Sequence, residues 1–133
     1  MLALVAALLG AACSRDATVQ QTIADTDALT QTITQAVLDA PDKRQGVASA
    51  RAALNATRAT LQPALLELKS LRAYQVSAPL SARWRDALID DMAAVEDLRR
   101  VLRSETAADP QLDAELNALI ADFEAMLAAR PAT

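Results

Sequence analysis

Four stretches of this chain repeat apolar residues at helical spacing, and prolines stand at the joints between them. Apolar side chains recurring every three or four positions mark one face of an α-helix. A proline disfavours helical backbone in the residue before it, so helices tend to stop there. Pro41, Pro79 and Pro110 thus predict helices over about 16–39, 43–75, 79–104 and 110–129. Asp42 with Gln45 reads as a capping box, and Asp109-Pro110 as an N-cap followed by the favoured first-turn proline. A sheet would want β-branched and aromatic residues between glycine turns. This chain is only 2% aromatic and has two glycines, Gly10 and Gly46.

The registers are regular. Val47, Ala50, Leu54, Thr57, Leu61, Leu65 and Leu68 line up along the second helix, and the pattern passes through Pro63, which predicts a kink rather than a break. Leu112, Leu116, Leu119, Ile120, Phe123, Met126 and Leu127 share one face of the last helix. The third helix is expected to bury Leu80, Trp84, Leu88, Val95, Leu98 and Leu102. Short connections imply antiparallel neighbours. The predicted fold class is therefore all-α: an up-down-up-down four-helix bundle over 13–133, one domain, preceded by an N-terminal signal or anchor segment over 1–12. Acidic residues Asp16, Asp25, Asp27 and Asp39 on the first helix oppose Arg44, Arg51, Arg58 and Lys69 on the second. Folding one on the other predicts an Asp27–Arg58 contact and brings Asp16 near Lys69.

The N-terminal segment runs from Leu2 to Ala12 without a charge and ends at Cys13, the single cysteine, ahead of Ser14-Arg15-Asp16. A bilayer-spanning helix needs about 20 apolar residues. About 7–15 apolar residues closing on small ones is instead the pattern of a secretory signal. No Lys or Arg precedes the run, so the start lies downstream of the true initiator or the α-amino group supplies the positive end. Leu9-Gly10-Ala11-Ala12-Cys13 resembles a bacterial lipobox, with Ala12 in the position before the cysteine and Gly10 in the slot usually held by leucine. The resemblance covers only these first residues. It implies a bacterial lipoprotein with diacylglycerol on Cys13 and a further acyl chain, such as palmitate, on its new amine. Two or more chains hold a protein stably on a membrane. Ser14, where an aspartate would imply inner-membrane retention, implies sorting to the periplasmic face of the outer membrane. Three other readings stay open: ordinary cleavage after Ala12, an uncleaved anchor, and an apolar helix start in a cytoplasmic protein.

The remaining residues offer little chemistry. Without histidine or a Cys-x-x-Cys pair there is no zinc finger, covalent haem site or His-based acid–base catalysis. No glycine-rich phosphate loop and no nucleophile–base constellation occurs, so an enzyme, a cofactor and a metal site are not expected. A net charge of −4 argues against nucleic acid as a partner. The acidic pairs Asp86/Asp90 and Glu96/Asp97 stand three or four residues from Arg83, Arg99 and Arg100, the spacing of solvated ion pairs.

One charge interrupts an apolar stripe. Asp91 lies seven residues after Trp84 and seven before Leu98. Thr18, Thr22, Thr26 and Thr30 recur every four residues on the inward half of the first helix. Asp91, Trp84, Thr26 and Thr30 are the candidate ligand or buried polar site. The competing account is structural: a carboxylate satisfied by a neighbour, and hydroxyls bonded to their own helix. Tyr74 and Trp84 flank one connection and close one end of the core. The expected function is a lipid-anchored envelope lipoprotein that acts as a non-catalytic binding, scaffold or accessory protein through an unidentified protein partner. The alternative is a soluble periplasmic bundle that binds a small apolar or amphipathic ligand in its core.

Overall fold

Two aspartates start two of the helices. The computed structural model describes residues 2–72 and 75–131, with side chains from Arg15 onward. Its described residues are all-α, with no strand: α1 (Leu2–Asp39), α2 (Lys43–Ser70), α3 (Ala78–Glu96), α4 (Leu98–Val101), α5 (Arg103–Ala108) and α6 (Pro110–Ala128). The Asp42 carboxylate accepts from the N–H groups of Arg44 and Gln45 at the start of α2. Asp109 accepts from Gln111 and Leu112 at the start of α6, where Pro110 takes the first turn. Each satisfies donors that a helix N-terminus otherwise leaves orphaned.

Cations cap the C-termini of α1 and α6. Lys43 Nζ donates to the carbonyls of Val37, Leu38 and Ala40, at 3.2, 2.7 and 2.9 Å, closing α1. Lys69 Nζ does the same for α6, donating to the carbonyl oxygens of Leu127 and, at 2.6 Å, Ala129. These are the chain's two lysines. A cation at a helix C-terminus typically contributes up to about 1 kcal/mol. Lys43→Met is therefore expected to lower the melting temperature by the equivalent of about 1 kcal/mol. An unchanged melting curve would mean that water serves those carbonyls equally well.

Three predicted boundaries move. The first helix does not begin at Asp16 but is continuous from Leu2. Asp16 is inside it, and the Ser77 N–H donates to its Oδ1 at 3.4 Å. α2 stops at Ser70 rather than near Gln75, because Leu71 turns extended and Gln75 closes a tight turn on Arg72. The helix predicted over 79–104 reaches Ala108 but in three pieces, with joints at Asp97 and Leu102. Leu102 leaves helical dihedrals where the Thr106 hydroxyl bonds back to its carbonyl, a contact that bends helices. α2 runs unbroken through Pro63, which faces solvent, so the carbonyl the proline leaves unpaired can meet water.

Packing follows the predicted stripes, but the neighbours differ from those the short connections imply. α1 packs on α2 and α3, and α6 packs on the same two helices. α2 and α3 are not a main packing pair although residues 71–77 join them directly. Arg44–Asp109 and Arg51–Asp122, both at 2.7 Å, and Lys69 against the end of α6 show that α2 and α6 run in the same direction. Asp16 against Ser77 and, further along both helices, Thr30 and Asp27 against Asp91 give α1 and α3 the same relation. The expected Asp27–Arg58 pair does not form. Arg58 shares a cleft with Asp122 of α6, while Asp27 shares another with Arg83 and Asp90 of α3. Asp16 likewise meets Ser77 and not Lys69.

The core has two parts. The larger centres on Ile33, Leu54, Leu65, Leu98, Leu119 and Phe123. A smaller one at the Asp16 end joins Val19, Ile23, Leu68 and Leu80, with Trp84 packed against both. Of the expected α3 positions, Trp84 and Leu88 are only partly buried, and so is Thr57 on α2. Among the described residues no helix is long and apolar enough to cross a membrane.

Candidate functional site

The threonines of α1 satisfy one another through their own helix. Thr22, Thr26, Thr30 and Thr34 each donate their hydroxyl to the carbonyl four residues back, at 2.7–3.0 Å. Thr22, Thr26 and Thr30 are buried, while Thr18 is exposed. A hydroxyl bonded within its helix can be buried without a ligand. Thr26→Val is accordingly expected to keep the fold and change stability by no more than about 1 kcal/mol in a denaturant titration. A loss of several kcal/mol would show the hydroxyl bonding something beyond its own helix.

Asp91 is different. It is only 7% exposed, and its Oδ2 has no hydrogen-bond partner. It forms no ion pair among the described residues. Burial pushes its carboxyl group up to about 7, and the Asp27 carboxyl group, facing it from α1, and Asp90 add to the rise, while the Thr30 hydroxyl opposes it. Desolvation and a nearby like charge both disfavour the ionised form. Below about pH 7 the group thus keeps its proton. The structure brings Asp91, Thr30 and Asp27 together where α1 meets α3.

Trp84 belongs elsewhere. It lines an open cleft of about 750 Å³ where α2 and α6 end and α3 begins, together with Lys69, Arg85, Leu88, Leu127 and Arg130. Neither Asp91 nor Thr26 nor Thr30 lines that cleft. The four residues singled out from the sequence therefore separate: Asp91 and Thr30 meet in a buried polar contact, Thr26 bonds within its own helix, and Trp84 lines a surface cleft. Desolvation, with help from the Arg130 charge, lowers the pKa of Lys69. The side chain of Cys13 and all of Tyr74 lie outside the described residues.

Of the two acidic pairs singled out from the sequence, Glu96/Asp97 is bonded by arginines. Arg99 bonds Glu96, and Arg100 bonds Asp97 at 2.7 Å, as their spacing implies. Asp86 and Asp90 share an open cleft of about 560 Å³ with Asp27 and Arg83. Sequence reading misses two features: the α2–α6 ion pairs and the cationic cleft. In the cleft, Lys69, Arg85 and Arg130 come from three helix regions far apart in the chain, so no local pattern announces it. Compared with protein-family models, with curated proteins and with solved structures, the chain finds no match in any of the three.

Proposed function

We propose that this chain is a small envelope lipoprotein: an up-down-up-down four-helix bundle held to a membrane through lipid on Cys13, acting without catalysis as a binding, scaffold or accessory protein. By the reading of Ser14, its place is the periplasmic face of the outer membrane. The observation that carries this reading is the apolar run that ends on small residues at Cys13. Its spacing from the fold is consistent with a tether. Asp16, three residues on, already bonds the start of α3, so a lipid on Cys13 would lie within about 10 Å of the packed helices even if the chain between were extended.

The division of the polar residues also favours a non-catalytic role. Asp91 is buried against Thr30 and Asp27, and in the cleft at Trp84, which no acid lines, Lys69 is engaged with the α6 carbonyls and the Ser70 hydroxyl with the Glu67 carbonyl. Less favoured is the alternative of a ligand held in the core among Asp91, Trp84, Thr26 and Thr30, since the cleft at Trp84 is not lined by the other three. Membrane fractionation of cells expressing the chain and its Cys13→Ala variant tests the reading. The native chain is expected in the membrane fraction and the variant in the soluble fraction. Equal membrane association of the two would refute the lipid anchor.

A further inference from the structure

The Trp84 cleft lies at the end of the bundle that carries Cys13. Trp84 packs against Val19, Ile23, Leu68 and Leu80, the small core nearest the N-terminal segment, and Lys69 follows Leu68 directly. The cleft is lined by the apolar side chains of Trp84, Leu88 and Leu127, by three cations, Lys69, Arg85 and Arg130, and by Ser70 and Ser81, and no acidic side chain lines it. Lys69 is committed to the α6 carbonyls. Arg85 and Arg130 are exposed and form no ion pair among the described residues.

A cation-only cleft is out of keeping with a chain of net charge −4. Cations beside a half-buried tryptophan suit the membrane–water interface, where indole rings settle at headgroup level and basic residues are drawn to anionic lipid. We propose that this cleft is a docking site for the phosphate headgroups of an anionic bilayer, seating the Cys13 end of the bundle on the membrane surface. The proposal rests on the tethered reading above, which supplies the nearby membrane. Arg85 and Arg130 would contact lipid phosphates, with Trp84 beside them, and the far end of the bundle, around Asp42 and Asp109, would point away.

The test uses the full chain carrying Cys13→Ala, so that no lipid is attached and its outcome is independent of whether Cys13 is modified in cells. Binding is measured by co-sedimentation with vesicles of phosphatidylcholine and with an equal mixture of phosphatidylcholine and phosphatidylglycerol. Any insertion of the N-terminal apolar run is common to both and cancels in their ratio. A basic residue near an anionic surface is worth about fivefold in binding, so the ratio should exceed about tenfold and fall to near unity in Arg85→Glu/Arg130→Glu. Arg58→Glu/Arg103→Glu, with the same net charge, should retain it within about twofold, since neither residue lines the cleft. Equal loss in both double variants would reduce the effect to bulk charge and overturn the site.

Trp84 is the chain's only tryptophan, so its emission in the Cys13→Ala protein reports on the cleft without any arginine variant having to fold. It should shift to shorter wavelength, and be quenched by brominated phosphatidylglycerol, on binding mixed vesicles. Bound protein with unshifted emission, or a shift produced by inorganic phosphate but not by vesicles, would overturn the proposal.

Discussion

Asp91→Asn should stabilise the protein at pH 8 and leave it nearly unchanged at pH 4. The sign follows from where the proton sits. The carboxyl group titrates at about 7 in the folded chain, against an ordinary value of 3.8. Between those values the unfolded chain has lost the proton and the folded chain keeps it, so the native protein loses stability as pH rises from about 4 to 7. Above 7 both states are ionised and the loss is complete. Every tenfold difference in proton affinity between the two states corresponds to about 1.4 kcal/mol, which puts the gain from a neutral isostere at roughly 2–4 kcal/mol at pH 8. Thermal melts of both proteins across pH 4–8 should diverge steadily up to pH 7 and then run parallel. Asp27→Asn removes a charge that adds to the rise, so it should lower the pH at which the divergence ends. Curves for wild type and Asp91→Asn that stay parallel throughout would show that Asp91 is hydrated.

A second large effect is expected at Gly46→Val. Gly46 lies in the first turn of α2, buried against the end of α1. A Cβ there would sit 2.7 Å from the carbonyl oxygen of Ala36, 2.7 Å from Ala40 Cβ and 3.2 Å from Val37 Cα. Two of those three are backbone atoms, so the helices themselves must separate. In an exposed helix, glycine to alanine gains about 1 kcal/mol. Here even Gly46→Ala should destabilise, because overpacking typically costs about 1–3 kcal/mol, and the branched valine should cost more than that. Denaturant midpoints are expected to fall in the order wild type, alanine, valine. A Gly46→Ala protein more stable than wild type would show that α1 and α2 can part there without cost.

These two positions mark where sequence reading succeeds and where it runs out. α6 is legible throughout: its aspartate cap, its first-turn proline and all seven apolar residues are where the helical period puts them. Asp91 can be recognised as inward-facing because it interrupts a regular stripe. Its partners cannot, because α3 packs on both α1 and α6 and so buries a broad face. Asp91 on one edge meets Thr30 and Asp27, while Trp84, seven residues earlier, lines the cleft at Leu127. Periodicity tells which residues turn inward but not which helix they will meet. The same limit misdirects Arg44 and Arg51, which the charge pattern matches to the acidic α1 and which instead pair with Asp109 and Asp122 of α6. A short link implies antiparallel adjacency for α2 and α3, yet residues 71–77 carry the chain between two helices that do not pack closely on each other. Gly46 gives no local sign, since a helix interior hides why it tolerates no side chain until the neighbouring helix is placed.

The tether at Cys13 is the claim on which the proposed function and the orientation of the bundle both depend. The most direct test is the intact mass of the mature protein purified from its native host's membranes. A chain beginning at Cys13 and heavier by a diacylglyceryl group and one acyl chain is the predicted result. An unmodified N-terminus, whether at Met1, Cys13 or any other residue, would contradict it.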